Sequence, residues 1–494
     1  MLSLTVFLPL AGALVIALFL KRGWIVRRFA IFVAITDFAL SAIVFLQYYQ
    51  DRDGLKFVER YDWIGPLDIQ YLVGIDGLSA PLVLLTGLLG MCAIFVSWSI
   101  KERVREYFVW LLILQTAVMG VFVSLDFVLF FIFWELELIP MYMLISIWGT
   151  GRKEYSAMKF LLFTILGSAF MLVALLVLYG STGTFDMTAL PGEIDKAVGS
   201  SKMLVPATAL FFAFFAAFAI KLPVWPLHTW LPDAHTDAPT AVSVMLAGVL
   251  LKMGGYGLIR VCVGMFPEAT SSYGWFIVAL AVISILFGAV VTLRQTDLKR
   301  LIAYSSVSHM GFVLLGISSV SAIPEELNPV GLNGAAIQMF THGTITGLLF
   351  ILVGQIYEKA HTRSISELGG LASQMPFTAV AFVVAGLASL GLPSLSGFVS
   401  EALVFLGTFP VWGLPTALGT VGIVLAAVYI LWMIQRVFFT PSLERYRNLR
   451  DLTFLEAVPV VVLLVAIVSV GVYPATLVNT FNSAIEPMLE LHFQ

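Results

Sequence analysis

Four ionisable side chains stand where the sequence is otherwise apolar. Glu135 lies in FFIFWELELIPMY, Lys221 in AIKLPVWP, Lys252 in VMLAGVLLKMGGYG and Glu401 in SLSGFVSEALVF. An ionisable group at the centre of a membrane helix costs roughly 2.5–3.5 kcal/mol, so the four together cost on the order of 10–14 kcal/mol unless paired or solvated. Two acids and two lysines can pass a proton along. Desolvation drives a buried lysine toward its neutral form, and a nearby carboxylate favours the charged one. Moving Glu135 relative to Lys221 would therefore load or unload the lysine. His309 in AYSSVSHMGF and His342 in QMFTHGTITG fall within apolar segments and could link two halves of a path. An imidazole accepts a proton on one nitrogen while releasing one from the other. The alternative is a structural ion pair for each charge and a buried, hydrogen-bonded ring for each histidine. Charges spread over both halves of the chain favour the relay.

Other polar residues carry less weight. Glu137 is two positions from Glu135 and points to roughly the opposite face of one helix. Asp76 in LVGIDGLSAP reads as a helix N-cap, Asp126 begins an apolar run, and Asp37 is isolated. His228 and His235 flank the turn HTWLPDAHTDAPT and read as structural or water-organising groups rather than a metal site. Cys92 and Cys262 are far apart in apolar runs, with no CxxC. They read as small buried hydrophobes, with no case for iron–sulfur, zinc or a disulfide framework. Neither GxGxxG nor GxxxxGK[ST] occurs, so no cofactor is expected on this chain and the energy it uses must arrive from elsewhere.

The elements that position these residues follow from composition. Of 494 residues, 60% are hydrophobic and 12% charged, with a net charge of −3 and a mean hydropathy of +0.98. A soluble domain carries roughly 25% charged residues, so lipid must be the main solvent here. The net charge gives no case for a nucleic-acid partner. About fourteen stretches reach the roughly 20 apolar residues a spanning helix needs. They lie near 2–20, 29–49, 76–99, 107–124, 126–148, 158–180, 204–230, 238–262, 275–293, 298–318, 333–357, 373–409, 413–438 and 453–475. The first has basic residues after it rather than before it, unlike a cleavable signal peptide, and reads as a retained span. With the N-terminus outside, 19 basic residues fall in inward loops and 6 in outward ones, as the positive-inside rule requires. Both termini then face out, and of the 27 basic residues Lys221 and Lys252 alone fall within spans.

The expected fold is an all-α integral membrane protein. Its predicted parts are N-terminal helices at 1–106, a five-helix repeat at 107–262, an inverted five-helix repeat at 263–438, and a C-terminal helix and tail at 439–494. An odd number of helices per repeat inverts the second relative to the first. In each set the fourth helix is interrupted by proline, at Lys221-Leu222-Pro223-Val224-Trp225-Pro226 and at Gly391-Leu392-Pro393-Ser394. Paired broken helices point to an ion path, because their freed backbone groups must face protein or water.

The strings WELELIPMYMLI, KLPVWPLHTWLPDAHTDAPTAVSVMLAGVLLKMGGYGLIR, QTDLKRLIAYSSVSHMGFVLLGI, QMFTHGTITGLLF and GLPSLSGFVSEALVF resemble the antiporter-like subunits of respiratory complex I. That family is shared with multisubunit sodium/proton antiporters and membrane-bound hydrogenases. The resemblance runs from about residue 107 to 410. It implies that Glu135 and Lys221 are the paired acid and lysine of a first half-channel, Lys252 the central lysine, and Glu401 the terminal carrier of a second. Glu401 is similar to the pattern of chain 4 (subunit M), where chains 2 and 5 and the antiporters carry lysine. YLVGIDGLSAPLVLL also looks like chain 4, and the length leaves no room for chain 5's long lateral helix.

On this reading, protons move inside a proton-translocating NADH:quinone oxidoreductase whose flavin (FMN), iron–sulfur clusters and quinone belong to partner subunits. Chains 2 and 5 are the expected membrane neighbours, and a bacterial plasma membrane the expected location. The rival readings are a hydrogenase-linked or multisubunit sodium/proton antiporter equivalent, a stand-alone secondary transporter, and a structural scaffold.

Overall fold

The computed structural model describes residues 1–321 and 329–493; residues 322–328, within the second expected repeat, and Gln494, within the expected tail, lie outside the described residues. Among the described residues, 12 helices are long and apolar enough to cross a membrane. The first four are α1 (Leu2–Phe19), α2 (Gly23–Gln50), α3 (Ser79–Val96) and α4 (Val104–Val123). The fifth is a bent pair, α5 (Phe127–Leu136) and α6 (Leu138–Trp148), followed by α7 (Lys153–Thr182). An amphipathic α8 (Leu190–Gly199) and two short helices, α9 (Ala207–Lys221) and α10 (Trp230–Asp237), come before the next full span. That span is α11 (Thr240–Val263), with α12 (Gly274–Thr292), α13 (Leu298–Ser318) and α14 (Val330–Ala360) after it. A second pair of short apolar helices follows, α15 (Pro376–Ser389) and α16 (Ser396–Thr408). The last spans are α17 (Gly413–Phe438) and α18 (Phe454–Val472), and α19 (Ala475–Phe493) closes the chain.

Proline sets most of the interruptions. Pro140 has no N–H to bond the Leu136 carbonyl and its ring crowds that carbonyl, so the helix breaks at Glu137 between α5 and α6. Pro223 and Pro226 end α9 just after Lys221. Gly391 (φ +76°) and Pro393 separate α15 from α16. Helix α11 is continuous but carries two π-helical segments, Leu246–Leu250 and Leu258–Val263. Single π turns of this kind often mark functional positions.

Several elements were not anticipated from the sequence, amphipathic α8 among them. An antiparallel hairpin of β1 (Lys56–Ile64) and β2 (Ile69–Ile75) joins α2 to α3. Its Glu59 takes hydrogen bonds from the Ser3 hydroxyl and, at 3.3 Å, the Ser3 N–H, clamping α1 to the hairpin. Amphipathic α19 packs against α3 and α14. Helices α11 and α14 are buried along their length, whereas α18 presents most of its surface outward. The two buried helices pack on each other, and α14 also packs on α13 and α16, so the core lies where the mid-membrane charges were expected.

Candidate functional site

Three buried pairs form in this core. The first joins the break in α5–α6 to the end of α9. Lys221 is 1% exposed, and its ammonium forms an ion pair with Glu137 Oε1. Trp134 and Phe160 wall the site, their ring centroids 5.3 and 5.6 Å from Lys221 Nζ. The acid in direct contact with Lys221 is therefore Glu137, which the sequence reading set aside, while Glu135 acts on the ammonium through its charge without a hydrogen bond to it. Helical geometry does place the two acids on opposite faces, but it does not say which face looks inward. Glu137 is fully buried, while Glu135 is half-buried and its Oε1 has no hydrogen-bond partner among the described residues.

The second pair lies on α11 and α14. A π-helical turn precedes Lys252, whose ammonium donates to the Ala247 carbonyl in that turn. Lys252 Nζ also lies 2.7 Å from His342 Nδ1. When Lys252 is charged, Nδ1 must accept and the His342 proton sits on Nε2. Close helix approach makes this possible: a Cβ on Gly343 would lie 2.7 Å from the Gly248 carbonyl. Glycine serves the first pair likewise, since a Cβ on Gly254 would lie 2.5 Å from the Leu222 backbone nitrogen. Lys221 and Lys252 share no hydrogen bond among the described residues; the helices carrying them meet at Gly254.

The third pair faces the second break. His309 on α13 places Nδ1 3.6 Å from Glu401 Oε1, and its Nε2 lies 3.3 Å from the Ser389 hydroxyl at the end of α15. Glu401 is 4% exposed, and its Oε2 lies against Gly391, where a Cβ would come within 2.5 Å. The His309 and His342 ring centroids are 5.7 Å apart. A cavity of about 10 Å³, the room of one water, is lined by both rings, Glu401, Gln338, Thr341 and Ser389 among others. The structure thus brings Lys252, His342, His309 and Glu401 together in succession, and helix α9, which ends in Lys221, packs on α11, which carries Lys252.

The remaining expectations divide. Asp76 accepts from the N–H groups of Leu78 and Ser79, as an N-cap does, and also pairs with Arg260 at 2.6 Å. Asp126 caps α5 through Val128 and Leu129. His235 stacks on Phe350 with ring centroids 4.6 Å apart, and His228 lies edge-on to Phe287. Among the described residues no cluster of three or more His, Cys, Asp or Glu is placed to hold a metal ion. What sequence reasoning missed is Glu137; the signal that bears on it is Pro140, which bends the helix beside that residue.

Residues 124–428, which contain all three pairs, match the family model described as NADH:quinone oxidoreductase/Mrp antiporter, TM. The chain belongs to this family. It is 38% identical to NADH-quinone oxidoreductase subunit M of Rickettsia prowazekii, over 99% of this chain and 98% of that one. It is 42% identical to NAD(P)H-quinone oxidoreductase chain 4 2 of Thermosynechococcus vestitus, over 97% and 90%. A chain of respiratory complex I from Thermus thermophilus superposes with a TM-score of 0.88 at 28% identity, covering 99% of both chains. A chain of the Mrp complex from a Dietzia species shares the fold, with a TM-score of 0.85 at 22% identity over 100% and 98%.

Proposed function

We propose that this chain is the antiporter-like subunit M (chain 4) of an NADH:quinone oxidoreductase, and that it carries protons through the buried row. The observation that carries the reading is the unbroken succession Lys252, His342, His309, Glu401, each within reach of the next directly or across the one-water cavity. A proton released by Lys221 passes to Lys252. His342 takes it on Nδ1 and gives up the one on Nε2. His309 accepts on one nitrogen and releases from the other to Glu401, beside the second helix break. The Glu137–Lys221 ion pair is the loading step: moving the carboxylate away removes the charge that favours protonated lysine. Glu135, on the other face, is the group through which a neighbouring subunit can act on that switch.

On this reading Ala207–Lys221 continues into the α9–α10 break as one broken span, and α15 with α16 forms another. Added to the 12 long helices, these make fourteen, with inverted repeats at 107–262 and 263–438 and both termini outside. The chain holds no redox cofactor; FMN, iron–sulfur clusters and quinone belong to partner subunits, and chains 2 and 5 are its membrane neighbours in a bacterial plasma membrane.

The test is redox-driven proton pumping in native membrane vesicles, with assembly checked on native gels. Assembled Lys221→Ala and Glu401→Gln complexes should lose pumping. Normal pumping in both would make the charges structural pairs and sink the reading.

A further inference from the structure

Asp37, which the row above does not use, is fully buried near the middle of α2. Its Oδ2 accepts a 2.6 Å hydrogen bond from Gln115 Nε2 on α4, and its Oδ1 is buried with no partner among the described residues. The elements packed around it offer no charge. On α2 itself, Ser41 spends its hydroxyl on the Asp37 carbonyl at 2.9 Å. The third helix of the group, α3, brings Gly87 and Gly90 toward Ser41 and Gln115; a Cβ on Gly87 would lie 2.6 Å from Ser41 Oγ. On α4, Thr116 is fully buried with its hydroxyl unpartnered. No Lys, Arg or His pairs with Asp37 among the described residues.

A carboxylate in hydrocarbon must be paired with a cation, ligated or protonated. Here the partner is a neutral amide and one oxygen has none. A proton on Oδ1 removes the charge and supplies a donor, so that acid and amide can close a ring of two hydrogen bonds, Nε2–H to Oδ2 and Oδ1–H to the amide oxygen. We propose that Asp37 and Gln115 form a second proton-binding site, loaded throughout turnover and separate from the Glu137-to-Glu401 row. Its bound proton ties α2, in the N-terminal helices, to α4, the first helix of the first five-helix set.

The test is infrared spectroscopy of the purified complex, whose readout does not depend on whether the row pumps. The wild type should show a deuterium-sensitive band of a protonated carboxylic acid that turnover leaves unchanged. Asp37→Asn should lack that band, assemble and pump as wild type does. Should Asp37→Asn fail to assemble, Gln115→Met keeps the acid but removes the amide, and the band should shift to higher frequency. A spectrum without the band, a band that comes and goes with turnover, or one that Gln115→Met leaves in place would overturn the proposal. So would an assembled Asp37→Asn complex that no longer pumps.

Discussion

The two acids at the α5–α6 break lie 84 or more positions from Lys221 in sequence, and one of them, Glu137, is in contact with it. Glu137→Gln leaves a buried ammonium without its counter-charge, and breaking a buried pair on one side costs roughly 3–5 kcal/mol. The expected outcome is a lowered melting temperature of the complex and lost pumping; the double variant Glu137→Gln/Lys221→Met, which removes the orphaned charge, should partly restore the melting temperature but not the pumping. Glu135→Gln should lower the melting temperature less than Glu137→Gln does, because that carboxylate is half-buried and its Oε1 has no hydrogen-bond partner among the described residues. Equal losses of stability in the two single variants would contradict the assignment of Glu137. His342→Met removes the group between Lys252 and His309 without changing volume much. It should stop pumping while the complex still assembles, as read by vesicle acidification and native gels.

At the scale of the element, the second break depends on a position without a side chain. Gly391 has φ +76°, which L side chains rarely adopt, and its missing Cβ makes room for Glu401 Oε2. Gly391→Ala should destabilise by more than about 1 kcal/mol from backbone strain and displace the carboxylate. The check is pumping with a melting curve; an unaffected variant would mean the break does not hold Glu401. The hairpin supports a pH prediction. Burial pushes the Glu59 carboxyl up, but hydrogen bonds from Ser3 and the α-amino group's bond and charge outweigh it and hold the acid below its usual range. A group whose pKa is lower in the fold contributes stability above its unfolded pKa and loses it as pH falls through the folded one. Docking of α1 should therefore weaken in acid. Glu59→Gln should flatten that dependence by less than about 1 kcal/mol, since the pair is partly exposed. Hydrogen exchange in α1 as a function of pH is the measurement.

For the whole molecule, distant segments are riveted at one end by Asp76 and Arg260, whose guanidinium also takes a 3.2 Å contact with Tyr256. The pair ties the start of α3 to the end of α11, next to α19. Asp76→Asn strands a largely buried arginine. With side chains 14% and 13% exposed, its cost should fall toward the lower end of the roughly 3–5 kcal/mol for a broken buried pair. The expected signature is poor incorporation into the complex on native gels, with residual assembled material still pumping. Lost pumping in fully assembled Asp76→Asn would instead place this pair in the proton path.

Much of this protein is written in its order of residues. Hydrophobic runs of span length, the bias of basic residues between loops and the two proline-marked breaks identify a multi-pass helical membrane protein. The price of burying charge in lipid singles out Lys221, Lys252 and Glu401, because nothing but a partner or a function repays it. Periodicity along one helix names faces without orienting them, so the sequence reading favoured Glu135 over Glu137, and only the packing of α7 and α9 showed that Glu137 is the one in contact with Lys221. The 2.7 Å contact of Lys252 with His342, 90 positions away in sequence, depends on a π turn and on glycines that let α11 and α14 close on each other. The Asp37–Gln115 pair likewise spans 78 positions. The sequence determined which groups must be paired or solvated; tertiary packing decided which partner each one meets, because partnership depends on distances between helices that no local pattern records.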